Sequence, residues 1–255
     1  MTDTPLSPAE ANFLLKPNAT GGMPSIKLTL MFMLSKGVLR IEQTESPGLF
    51  RTKSTPHLRI AAEPPDAPPP IAALLAVVRT AQAAGGTIKA VIAEANKAFG
   101  TGCGLFNANF VVPPLIARGY LTEKKILFLR AYHVTEAGEI ERAQIRSALF
   151  KANDLPRLVA SDPAQAAAVA ASLGALILLS DKATKQFKPL ADAVRAQGGQ
   201  DYSAFTGNDG GGFDFGSFDL GSCEAGVVSA FDAGMSAIDA GFSDAGGGDG
   251  GHHGN

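Results

Sequence analysis

The sequence predicts a mainly α protein of the α+β kind: tandem winged-helix-like units with short β-wings, then a helical extension and a glycine-rich tail. Three observations predict it. Apolar residues recur three and four apart over much of the stretch from residue 7 to residue 195, the period of amphipathic helices. The helix end LSKGVL at residues 34–39 returns as IARGYL at 116–121, each with a cation, a capping glycine and the start of a strand. The run AEPPDAPPP, residues 62–70, holds five prolines that neither a helix nor a central strand absorbs. It is a stiff linker dividing an N-terminal unit, 1–61, from residues 71–195.

Ser7-Pro8-Ala9-Glu10 opens the first helix, with a capping serine, proline in the first turn and glutamate three residues after the cap. The turn PNATGG ends it, and a second helix is expected from about Ser25 to Lys36, stopped by Gly37. Residues 38–42, 49–53 and 57–60 read as short strands. Past the linker, helices are expected over 71–84, 87–99 and 105–118, separated by Gly85-Gly86 and by GTGCG. Pro113-Pro114 breaks or kinks the third. Strands over 120–122, 126–129 and 132–134 follow, with Glu123-Lys124-Lys125 as a charged turn. A helix then runs from Glu136 to about Phe150. An alanine-rich helix is expected from Pro163 to Ser180, and another, capped by Asp181, to Arg195.

Charge divides the chain more sharply than hydropathy does. All 22 lysines and arginines lie at or before Arg195, while nine of the 24 acids lie in the tail, 196–255, so a body of about +7 carries an arm of −9. Such an arm either folds back on the body, competing with an anionic partner, or stays solvated. Two cysteines make no disulfide framework, and the start MTDTPLSPAE has no secretory pattern, so a reducing, cytoplasmic setting is expected. The most apolar run, 166–179, is uncharged but only 14 residues long, against about 20 for a bilayer span.

In LSPAEANFLL, SIKLTLMFMLSKGVLRIE, DPAQAAAVAASLGALILLSD and GGGFDFGSFDLGS the chain resembles a group of bacterial proteins of unknown function, often membrane-anchored. Those proteins share a winged-helix-like pair, an alanine-rich helix with a glycine near its middle and a glycine-rich C-terminal tail. The resemblance implies no catalytic residues. Membrane association is expected here only through a partner.

Winged helices place a helix in the major groove, but residues 25–36 offer only Lys27 and Lys36, so Lys124, Lys125 and Arg130 are the best candidates for nucleic-acid contact. GTGCG lacks the lysine and the preceding strand of a phosphate loop. Cys103 has no recognisable partner motif around His57 or His133. His252-His253 with Cys223 make a poor rigid metal site, so no metal, cofactor or catalytic residue is expected. Glu136, Glu139 and Glu141 read as a solvated helix face, and the tail glycines and aspartates lack the nine-residue calcium-repeat period.

In the tail, FDFGSFDLGS writes one five-residue unit twice, and Val228, Phe231, Met235, Ile238 and Phe242 form a stripe at helical spacing. A weak helix over 224–240 is expected, needing a partner surface to form. Phe213, Phe215, Phe218, Phe231, Met235, Ile238 and Phe242 are its expected anchors. The functional expectation is a non-enzymatic protein-interaction or assembly module, binding a protein partner or a second copy of itself. The alternative is a winged-helix DNA-binding regulator autoinhibited by its acidic tail.

Overall fold

The computed structural model describes residues 5–46, 53–126 and 129–184, together with Ile238 and Phe242. Those residues form a mainly helical protein with two antiparallel two-stranded sheets. In α1, Pro8–Leu15, the capping box is complete: the Glu10 N–H donates to Ser7 Oγ at 3.3 Å and the Ser7 N–H to Glu10 Oε2 at 2.7 Å. Helix α2, Gly22–Ser35, starts three residues earlier than expected, because Pro24 needs no N–H partner in a first turn. It is apolar almost all round and buried at eleven of its fourteen residues.

The repeated helix ends share one geometry. Gly37 and Gly119 adopt φ of 67° and 73°; the Val38 N–H then donates to the Met33 carbonyl, and the Tyr120 N–H to the Leu115 carbonyl, both at 2.9 Å. This is the Schellman closure that glycine makes sterically cheap. Each turn launches a hairpin: β1, Leu39–Ser46, with β2, Lys53–Ile60; and β3, Leu121–Ile126, with β4, Leu129–Val134. The expected strand over 49–53 lies almost wholly outside the described residues. Glu123, Lys124 and Lys125 stand inside β3 rather than in a turn, since their alternation with Leu121 continues the strand.

The units are cross-tied. Helices α3, Pro69–Ala83, and α4, Ile88–Phe99, are joined by Gly85 and Gly86, and here the first hairpin docks: the Leu58 N–H donates to the Gly86 carbonyl at 2.8 Å and His57 bridges to Thr87. In return the second hairpin is met by the α1–α2 turn, where the Asn18 amide pairs with both backbone groups of Tyr132 at 2.9 and 3.0 Å. A single cluster of buried apolar residues includes Leu6, Leu30, Leu74, Leu115, Ile145 and Ala183, so both units share one core.

Pro113-Pro114 acts as expected. Gly104–Phe106 (α5) passes through a π-helical turn, Asn107–Val111, into α6, Val112–Ala117; the Val112 N–H reaches back five residues to the Asn107 carbonyl ahead of the two prolines. Helix α7, Glu136–Ser161, outruns its expected end near Phe150 because buried Ile145, Ala152 and Leu155 extend one apolar stripe through Pro156. The alanine-rich helix is shorter than expected: α8, Pro163–Leu173, stops where Gly174 takes φ 52°, and Gly174–Leu179 continues as a 3-10 turn. Ser180, not Asp181, caps α9, Asp181–Thr184, accepting from the Ala183 N–H at 3.2 Å and donating to Asn153 Oδ1 at 3.0 Å. The rest of the expected helix to Arg195 lies outside the described residues. Among the described residues no helix is long and apolar enough to cross a membrane.

Candidate functional site

Strand alternation decides what the second hairpin presents. Lys125 stands directly opposite Arg130, and Lys124 opposite Ala131, so two of the three cations share one face while Lys124 points to the other. All three are exposed. Arg130 Nε lies 3.4 Å from Glu123 Oε1, whereas Lys124 and Lys125 have no ion pair among the described residues. Like charges in register repel, so Lys125 and Arg130 would gain from an anion laid across the hairpin. The first hairpin carries a similar pair that sequence reading missed: Arg40 faces Arg59, and both contact Glu42, at 2.6 and 3.3 Å. Helix α2 has no free face to enter a groove, because the core encloses it.

Two of the expected tail anchors are described. Ile238 is helical, fully buried and part of the body's own apolar cluster; Phe242, four residues on in sequence, is helical and half-buried against that cluster. Phe213, Phe215, Phe218, Phe231 and Met235 lie outside the described residues, as does most of the expected helix over 224–240.

Cys103 occupies a strained position with a structural role. It is the one non-glycine residue at positive φ, 58°, among the described residues, and its thiol is enclosed. The turn that holds it lies against the start of α2, where a Cβ on Gly22 would stand 1.7 Å from the Cys103 carbonyl oxygen. Sγ meets Met23 Sδ at 3.3 Å and Asn96 Oδ1 at 3.6 Å, not a histidine. His57 sits instead against the Gly85 carbonyl, and His133 faces Thr122 across the second hairpin. Burial pushes the Cys103 thiol up to about 11, so it stays protonated at neutral pH, the opposite of an activated nucleophile. No cluster of three potential metal ligands exists among the described residues; Cys223, His252 and His253 are outside them.

The largest feature missed from sequence is on α7. Phe150 is 80% exposed and Ile140 59% exposed, both on its outer side. Their offset from the stripe through Ile145, Ala152 and Leu155 was the available signal, but it could be read only once the helix was known to continue past Phe150. Comparison of the chain with protein-family models, with curated proteins and with solved structures finds no match.

Proposed function

We propose that the protein is a non-enzymatic interaction module whose acidic tail docks on its own basic body, with the outer face of α7 available to a protein partner or a second copy. The observation that carries this reading is the burial of Ile238 within the body's core cluster, supported by the packing of Phe242 against the same cluster. A solvated tail that only aids solubility would leave both side chains in water. Docking places nine acids beside a body of about +7, so the tail and an anionic partner compete. Phe150 and Ile140 supply apolar contact area that a monomer leaves uncovered. The two winged-helix-like units serve in this reading as the scaffold.

The test uses a labelled peptide of residues 224–245 added to the full chain. Binding to Ile238→Asp, in which the site is vacated, is at least tenfold tighter than to the unsubstituted chain, where the tethered copy competes. Equal binding to both would remove the docking reading. The second reading, a DNA-binding regulator, is favoured by one feature, the Lys125–Arg130 cross-strand pair. It requires duplex affinity that falls steeply with salt and weakens on Lys125→Glu.

A further inference from the structure

A cavity of about 250 Å³ lies where the start of α1, the linker, α2 and the π-helical turn converge. Its lining is mostly apolar and stiff, with Pro8, Pro69 and Pro70 beside Phe32 and Phe110. Proline and packed aromatic side chains have few rotamers to lose, so a ligand entering here meets a largely pre-formed surface.

The polar side chains in the wall are unequal. Ser7 and Glu10 are tied to each other's backbone N–H groups in the capping box, and Thr29 Oγ1 donates to the Ser25 carbonyl at 2.8 Å. Glu10 also stands at the positive end of α1, which offsets its charge. Arg118 alone lacks a side-chain partner among the described residues, Glu10 included, although it is half-buried in the wall. A guanidinium held partly out of water, with a planar fork of free donors, is suited to a carboxylate.

We infer that this cavity is a binding site for a small apolar carboxylic acid, its hydrocarbon body among the prolines and phenylalanines and its carboxylate on Arg118. A dry cavity of about 150 Å³ takes one benzene; by that measure this one takes about ten non-hydrogen atoms, the size of phenylacetate or octanoate. The acid would bridge α1, the linker and α6, so occupancy would tighten the junction between the two units. Nothing in the inference depends on the tail.

Calorimetric titration of the full chain with phenylacetate and octanoate, each beside its uncharged amide, tests it. At least one acid binds with Kd at or below about 1 mM, its amide at least tenfold more weakly. Arg118→Gln, which keeps its melting temperature without ligand, loses at least tenfold in acid affinity, and Arg118→Lys recovers part of it. Failure of both acids to bind below about 10 mM overturns the inference. So does an amide that binds as well as its acid, or an acid that binds Arg118→Gln unchanged.

Discussion

Gly22→Ala tests how tightly the two units are joined. A Cβ at Gly22 would stand 1.7 Å from the Cys103 carbonyl oxygen, 2.2 Å from its carbonyl carbon and 2.9 Å from the Gly102 oxygen, all backbone atoms. Ordinary contact begins at 3.4 Å, so α2 and the Thr101–Cys103 turn must separate by more than 1.5 Å. Forced overpacking costs about 3 kcal/mol, while alanine recovers at most about 1 kcal/mol of helix propensity. A net loss of about 2–3 kcal/mol lowers Tm by about 4–12 °C for a body of this size. The neighbouring Gly21→Ala is the control: Gly21 has φ −70° and its Cβ would meet only Pro24 Cδ at 3.7 Å. Thermal unfolding followed by circular dichroism compares the two. Equal melting temperatures would refute the close approach of α2 to the Cys103 turn.

Two further outcomes follow from the same packing. In a Cys223→Ser chain, iodoacetamide labels Cys103 at pH 8 about a hundredfold more slowly than it labels an unfolded thiol, from ionisation alone, because burial raises the thiol from 9.0 to about 11. The folded state holds that proton more tightly, so the thiol's contribution to stability is complete below pH 9 and falls away as pH rises towards 11. Residues 1–62 expressed alone lack the partner of the first hairpin at Gly86 and Thr87 and the shared core, so they show no cooperative thermal transition; a sharp transition would refute the cross-tying.

What the sequence made legible was local. Ser7 as a cap, Gly37 and Gly119 as stops, and the proline pair as a break all act within one turn of themselves. Long-range pairing left no such trace: nothing near Asn18 announces Tyr132, 114 residues away, and nothing near Arg118 announces a cavity walled by the linker. Errors of extent came from competing signals. The alanine run hid the stop at Gly174, and Pro156 did not outweigh the apolar stripe that carries α7 to Ser161. The charged triplet in β3 read as a turn because its composition outweighed its place in the alternation.

Backbone hydrogen exchange of the full chain, read by mass spectrometry on peptides covering residues 236–244, bears most directly on the proposal that the tail docks on the body. With Ile238 buried in the body's core and Phe242 against it, those amides exchange at least a hundredfold more slowly than in the free peptide, and Ile238→Asp abolishes the protection. Exchange at the free-peptide rate in the unsubstituted chain would contradict the account.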